Sequence, residues 1–110
     1  MNPAAQPLVD MERRHDFLIC IDSDGCAFDT MEVKHKECFI PNTIKYWDLQ
    51  PISKYAREAA EYVNLYSTFR GINRFPALIA VLDLLAERPE CVRRGYVAPE
   101  IESLRRWSAT

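Results

Sequence analysis

The apolar residues of this chain change their spacing near residue 30, and each spacing predicts a different kind of element. Upstream lies an uninterrupted apolar run, Phe17 to Ile21, that ends in acidic residues and a glycine. A run of this length without a polar interruption is typical of a strand buried on both faces, as in parallel sheets. Downstream, apolar positions recur three and four residues apart, which is typical of amphipathic helices. The pattern predicts one strand followed by a mostly helical segment.

Helix boundaries follow from capping residues and prolines. The predicted helical segments are 32–39, ended by Pro41; a short turn from Pro41 to Trp47; 54–66, capped by Ser53; a helix that restarts at Asn73 and reaches Glu87; and a last helix from Pro99. Their expected apolar faces are Ile52, Tyr55, Ala56, Ala59, Val63 and Tyr66; Phe75, Leu78, Ile79, Leu82 and Leu85; and Ile101, Leu104 and Trp107. We expect the aromatic residues of these segments to pack between helices.

Two carboxylates stand directly after the apolar run. Residues two apart in an extended segment point the same way, so Asp22 and Asp24 are expected to face one pocket while Ser23 turns away. One carboxylate can attack phosphorus to form an aspartyl-phosphate, while the other protonates the leaving oxygen and later activates water. Mg²⁺ would screen the repulsion between carboxylate and phosphate. Gly25 would let the backbone turn sharply beside them.

Two simpler interpretations of this acidic stretch were weighed. A calcium-binding EF-hand loop fails, because with Gly25 at its sixth position the first and twelfth positions would be Cys20 and Met31, which carry no carboxylate. A plain polar turn remains open, since aspartate and glycine are common turn residues. The preceding apolar run and the later Asp29-Thr30 favour the catalytic interpretation.

The stretch Asp22-Ser23-Asp24-Gly25-Cys26-Ala27-Phe28-Asp29-Thr30 resembles motif I of the haloacid dehalogenase (HAD) superfamily. This resemblance implies that Asp22 is the nucleophile and a Mg²⁺ ligand, and that Asp24 is the general acid/base whose backbone carbonyl also binds the metal. It implies an α/β fold, in which a HAD-like Rossmannoid core is represented by its first strand and a mostly α-helical cap follows. Cys26 departs from the family's usual Thr or Val, which leaves the subfamily open.

The domain organisation follows from this resemblance. We expect a flexible N-terminal arm over 1–15, the first core strand and nucleophile loop over 16–30, and a helical cap-like segment over 31–110. A chain of 110 residues is short for a complete core plus cap. The later Ser or Thr, Lys and acidic pair that the resemblance implies have no recognisable position here. We therefore expect an incomplete domain whose remaining motifs follow Thr110, with poor turnover by this chain alone.

Two arginines flank a glycine between the two strongest helical segments. Arg70 and Arg74 could grip a phosphate or carboxylate of a substrate through forked hydrogen bonds, with Gly71 giving flexibility. Helix-boundary chemistry is the alternative, with Gly71 ending one helix, Asn73 capping the next and both arginines solvated.

Composition limits the classes of partner. The chain has 14 basic and 16 acidic residues and a formal net charge of −2, so we expect no nucleic acid and no anionic membrane surface as a partner. No signal-peptide or membrane-spanning pattern is recognisable. Four cysteines without Cys-x-x-Cys spacing favour reduced thiols in a cytoplasmic protein. His15 and His35 have no visible partner and receive no catalytic role.

The expected function is a HAD-type phosphohydrolase, a phosphatase that uses Mg²⁺ and an aspartyl-phosphate intermediate on a small phosphorylated metabolite. The alternative is a non-enzymatic helical interaction domain in which the Asp-x-Asp loop is vestigial. Magnesium-dependent phosphatase activity that is lost in Asp22→Asn would separate these two functions.

Overall fold

The structure is a computed structural model that describes residues 2–110. Its α-helices are α1 (Gln6–Val9), α2 (Met31–Lys34), α3 (Ile40–Tyr46), α4 (Ser53–Glu61), α5 (Arg74–Glu87), α6 (Pro89–Arg93) and α7 (Glu102–Ser108). Two π-helices, His35–Phe39 and Tyr62–Tyr66, continue α2 and α4, and 3₁₀ turns occupy Pro3–Ala5 and Gln50–Ile52. Within residues 2–110 the one β feature is an isolated bridge between Asp24 and Phe28.

The predicted α/β fold is therefore wrong, and residues 2–110 form a small all-helical domain without a sheet. The predicted buried strand is an exposed segment without regular structure, in which Phe17, Leu18 and Ile19 expose 89%, 87% and 83% of their surface. A strand must satisfy its backbone groups on neighbouring strands. The helices pack against one another and offer no sheet edge, so neither this strand nor a Rossmannoid core forms here.

The first long helix runs through the proline that was predicted to end it. Residues 31–46 are helical without a break, and Pro41 lies in the first turn of α3, directly after the π-helix. A proline ring clashes with the carbonyl four residues earlier in a regular α-helix, and the wider π turn relieves this contact. The side chains of Asn42 and Thr43 donate to the carbonyls of Cys38 and Phe39, at 2.8 and 2.9 Å.

The core lies where α3, α4 and α5 meet. Its buried residues are Ile40, Ile44, Leu49, Ile52, Ala56, Ala59, Ala60, Val63, Ala77, Val81, Leu85 and Cys91. The predicted helix at 54–66 is confirmed, but α4 begins at Ser53 and that side chain makes no capping hydrogen bond. The predicted cap at Asn73 is confirmed, because its side chain accepts a hydrogen bond from the Phe75 amide at 3.0 Å.

The buried face of α5 is rotated from the predicted one. Leu82 and Leu85 are buried as expected, while Phe75 is half-buried and the fully buried positions include Ala77 and Val81. Small side chains on α4 and α5 allow the two helices to pack closely. The hydrophobic spacing predicted where α5 lies, whereas packing against α4 determines which face of α5 is buried.

The sixth helix begins at a proline, and a glutamate side chain binds the first amide of the seventh. Pro89 ends α5, as predicted, and it is also the first residue of α6, which the sequence did not predict. The last helix begins at Glu102 instead of near Pro99, and the Glu100 carboxylate accepts a hydrogen bond from the Glu102 amide at 2.5 Å. Trp107 stays 59% exposed although its ring packs edge-on against Phe75.

The N-terminal arm predicted over 1–15 begins with Met1, which lies outside the described residues. Its described part contains the 3₁₀ turn and α1, and almost all of it is exposed. Within the described residues, no helix has both the length and the apolar character that crossing a bilayer requires.

Candidate functional site

The loop over residues 22–30 is closed by its own backbone. The Gly25 amide donates to the Phe28 carbonyl at 2.8 Å, and the Phe28 amide donates to the Ser23 carbonyl at 2.9 Å. Gly25 has φ +70°, where glycine is favoured, and a Cβ atom built there would lie 2.6 Å from Cγ of Met31. The predicted sharp turn at Gly25 is confirmed, and it brings the loop against the start of α2.

A cavity of about 480 Å³ separates this loop from the helices. Its polar lining residues are Asp22, Asp24, Lys34, His35, Thr43, Asn64, Asn73 and Arg74. The apolar wall includes Met31, Phe39, Ile40, Ala60, Ile72, Phe75, Ala77, Leu78 and Val81. The structure thus places both predicted carboxylates and one of the two predicted arginines around one space.

Asp24 is held as a carboxylate by two neighbours. The Thr30 hydroxyl donates to its Oδ1 at 2.7 Å, and the Lys34 ammonium lies 3.6 Å from its Oδ2. The hydrogen bond from Thr30, followed by the charge of Lys34, lowers the pKa of Asp24 below its ordinary value of 3.8. Asp24 is therefore ionised at neutral pH, and the same two contacts make it a weaker base than an ordinary aspartate.

Asp22 differs from Asp24 although both line the cavity. Within residues 2–110, no hydrogen bond or ion pair engages the Asp22 carboxylate, and only its backbone carbonyl is used, by the amide of Ala27. A carboxylate without a hydrogen-bond donor keeps its lone pairs available for attack on an electrophile. The two acids therefore differ in their contacts, since Asp24 is held by Thr30 and Lys34 and the Asp22 carboxylate is held by no described residue.

Lys34 and His35 also line the cavity, although neither is assigned a role from the sequence. Their positions three and four residues after Met31 place all three on one face of the helix, and that spacing was the available signal. The lysine that the resemblance implies belongs later in a chain, and Lys34 follows the acidic loop closely. The structure brings Lys34 to the loop nonetheless.

His35 is neutral in this site. Burial, followed by the charges of Lys34 and Arg70, lowers the pKa of His35 below 6.5. Its Nδ1 atom is enclosed and has no hydrogen-bond partner among the described residues. An N–H group at Nδ1 would be left without an acceptor, so the proton of the neutral ring belongs on Nε2.

The two predicted substrate arginines are not brought together. Arg74 lines the cavity, with its guanidinium 5.1 Å from the centre of the Phe75 ring. Arg70 donates to the Leu65 carbonyl at 3.1 Å and is not among the lining residues. Asn73 caps α5, as the helix-boundary alternative expected, whereas Gly71, with φ +83°, lies in a turn after helical residues that end at Tyr66 and so does not end that helix.

The chemistry of the oxygen donors can be compared with the needs of Mg²⁺. Within residues 2–110, no three His, Cys, Asp or Glu side chains gather as a metal ligand set. Mg²⁺ usually takes one or two carboxylates and fills its octahedron with water and substrate phosphate. The free Asp22 carboxylate and the Asp24 carbonyl, which no backbone hydrogen bond within residues 2–110 engages, are oxygen donors of the kind that Mg²⁺ takes.

Comparison of the chain with protein-family models, with curated proteins and with solved structures gives no match. The resemblance to HAD motif I is therefore carried by the loop residues and the apolar run before them. Function has to be argued from the groups that surround the cavity, because a fold class alone does not imply a function.

Proposed function

We propose that this chain carries the nucleophile loop and substrate cavity of a Mg²⁺-dependent phosphohydrolase with HAD chemistry. Its substrate would be a small phosphorylated metabolite, and the intermediate an aspartyl-phosphate at Asp22. The observation that carries this proposal is the asymmetry of the two acids in one cavity, where Asp22 is free and Asp24 is held ionised.

The two chemical steps use the acids in turn. In the first, Asp24 must gain a proton from solvent once its contacts to Thr30 and Lys34 are lost. An Asp22 oxygen then forms a bond to phosphorus while the bond from phosphorus to the leaving oxygen breaks, and the leaving oxygen takes the proton of Asp24. In the second, water attacks phosphorus, its proton passes to the ionised Asp24 and the bond to Asp22 breaks. The lowered pKa of Asp24 keeps it ionised for the second step but leaves no proton on it for the first. Loss of the contacts to Thr30 and Lys34 would raise that pKa for the first step.

Charge balance supports a metal ion in this proposal. The cavity lining contains the carboxylates of Asp22 and Asp24 and the cations of Lys34 and Arg74, with His35 neutral. A phosphate dianion would add two negative charges, and Lys34 is already paired with Asp24. Mg²⁺ held by the Asp22 carboxylate and the Asp24 carbonyl would supply the missing positive charge.

Arg74 is the side chain best suited to the phosphate or to a second anionic group of the substrate. It lines the same cavity as the acids and has no ion-pair partner among residues 2–110. A guanidinium can donate two parallel hydrogen bonds to an oxyanion, which gives orientation as well as attraction.

The helical interaction domain stays a second candidate because of one observation. The exposed run Phe17 to Ile21 presents large apolar side chains to solvent, and such surfaces in proteins commonly mark interaction sites. In that case the acidic loop would have no nucleophile function.

The experiment that tests the phosphohydrolase uses adduct formation, because we expect turnover by this chain to be weak. Beryllium trifluoride with Mg²⁺ binds a reactive carboxylate as an analogue of its phosphoryl adduct, and ¹⁹F NMR detects the bound form. We expect a bound signal for the wild-type chain and none for Asp22→Asn.

Asp29→Asn is the matched control, since it makes the same change in the same loop at an acid outside the cavity lining. It should keep the bound signal. A wild-type chain without a signal, or equal signals from wild type and Asp22→Asn, would overturn the proposal and leave the interaction domain as the better candidate.

A further inference from the structure

We infer that the preferred substrate carries its phosphate on a small apolar group, alkyl or aryl, and not on a sugar or another polyol. This inference rests on the proposed function and names the substrate class of the same cavity. It is argued from the distribution of polar and apolar groups around the cavity and from the hydrogen bonds that those polar groups already make.

Charged and apolar groups occupy different parts of the lining. Asp22 and Asp24 are exposed, whereas Ile40, Ala77 and Val81 on the helices each expose only 2% of their surface. The phosphate would therefore lie beside the loop acids at the open side. The rest of the substrate would extend toward an apolar floor formed by α3, α4 and α5, where burial of carbon is favourable.

Three neutral polar side chains of the lining each make one hydrogen bond to the helix backbone. The Thr43 hydroxyl donates to the Phe39 carbonyl at 2.9 Å, and the Asn64 amide nitrogen donates to the Ala60 carbonyl at 2.9 Å. The remaining amide side chain, that of Asn73, accepts from the start of α5. These bonds use part of the hydrogen-bonding capacity that the hydroxyl groups of a polyol would need in place of water, so the cavity favours an apolar group over a polyol.

The size of the cavity fits a compact organic group. Its volume of about 480 Å³ lies in the lower part of the range of roughly 300–1,000 Å³ that is usual for small-molecule sites. Half-buried Phe75 and Leu78 add apolar surface at its wall.

The test measures binding of phosphonates, which cannot be hydrolysed, to the full 110-residue chain in the presence of Mg²⁺. Calorimetry of methyl-, propyl- and hexylphosphonate should show affinity rising roughly two- to fourfold for each added methylene until the floor is filled. A phosphonate analogue of a hexose phosphate should bind no more tightly than methylphosphonate.

Two leucines of α5 provide the matched variants. Leu78→Ala removes part of the cavity wall and should reduce the gain from methyl- to hexylphosphonate severalfold, whereas Leu84→Ala changes the same helix outside this cavity and should leave the gain unchanged. Equal reduction by both variants would contradict the assigned floor.

The outcomes separate the inference from the function on which it rests. Binding of phosphonates that is independent of chain length, or tighter binding of the sugar analogue, would overturn the apolar substrate class and leave the phosphohydrolase standing. Failure of every phosphonate to bind, together with failure to form the beryllium trifluoride adduct, would overturn the proposed function and this inference with it.

Discussion

The pKa values of Asp24 and His35 are set by their immediate surroundings in the folded chain. Thr30 and Lys34 hold Asp24 in its charged form, while burial and the charges of Lys34 and Arg70 hold His35 in its neutral form. Lys34 acts on both groups in the same direction, since a cation lowers the pKa of an acid and of a base alike. Lys34 thus lowers the pKa of both Asp24 and His35.

The pKa of His35 gives a prediction with a defined sign. Because its folded pKa lies below the ordinary 6.5, the unfolded chain binds more protons as the pH falls below 6.5. The stability that neutral His35 contributes is fully present above 6.5 and is lost as the pH falls through the folded pKa. NMR titration of the ring should give a value below 6.5, and Lys34→Gln should raise it. A value at or above 6.5 would contradict the assignment.

Gly25 allows a comparison that separates backbone strain from packing. Gly25→Ala should lower the free energy of unfolding by about 2–4 kcal/mol, because alanine disfavours positive φ and its methyl group would press on Met31. Gly95→Ala is the control, with φ +80° and nothing within 4 Å of the added carbon. It should cost only about 1–2 kcal/mol. Equal losses in urea unfolding would show that the contact with Met31 carries no weight.

At the scale of elements, α7 depends on its neighbour α5. Seven residues are too few to form a stable helix in water alone. Two contacts hold α7 against α5: an ion pair between Asp83 and Arg105, and the edge-on packing of Phe75 against Trp107. The hydrogen bond from Arg105 lowers the pKa of Asp83, which shows that the pair acts on the charged form.

The ion pair between α5 and α7 can be measured by a double-mutant cycle. Asp83→Asn and Arg105→Gln, alone and together, should give a coupling energy of about 0.5–1 kcal/mol, since both side chains are two-fifths or more exposed and solvent screens them. Arg106→Gln removes the same charge one residue further along and should show no coupling with Asp83→Asn. Coupling of equal size for both arginines would indicate a general charge effect instead of this contact.

At the scale of the molecule, the helical domain and the segment before it have different character. The radius of gyration is 18.8 Å, well above the value of about 13 Å expected for a compact chain of this length. Almost all residues before Met31 are exposed, whereas the helices from α3 onward enclose the core. The apolar run and the acidic loop therefore lie at the edge of the packed part of the molecule.

The exposed apolar run predicts self-association. Phe17 to Ile21 combine strong β-propensity with unpaired backbone groups, the features that lead exposed segments to pair with one another. Ile19→Asp should shift the chain toward monomer in sedimentation at increasing concentration, without lowering its thermal stability. Val97→Asp adds the same charge at another exposed apolar residue, 84% exposed, and should leave association unchanged. Association that survives Ile19→Asp would exclude this segment as its cause.

The positions of α4 and α5 and the turn at Gly25 could be predicted from the sequence. Helical spacing located α4 and α5, Asn73 identified a cap, and Gly25 identified a turn, because each of these signals depends on interactions within a few residues. The same reasoning failed at Phe17 to Ile21. A strand exists only with partners, and local preference cannot supply them.

Only the tertiary structure decided which distant residues share a site. Packing places Arg74 in the lining of the cavity that Asp22 and Asp24 also line, and it places the Arg70 guanidinium against the Leu65 carbonyl. The sequence pattern does not distinguish these two arginines. Packing also placed Lys34 and His35 in the cavity and rotated the buried face of α5. Helix caps and turns depend on neighbouring residues and can be predicted from the sequence. Which helix face is buried, and which residues line a cavity, depends on the volume and shape of helices that are far away in the chain.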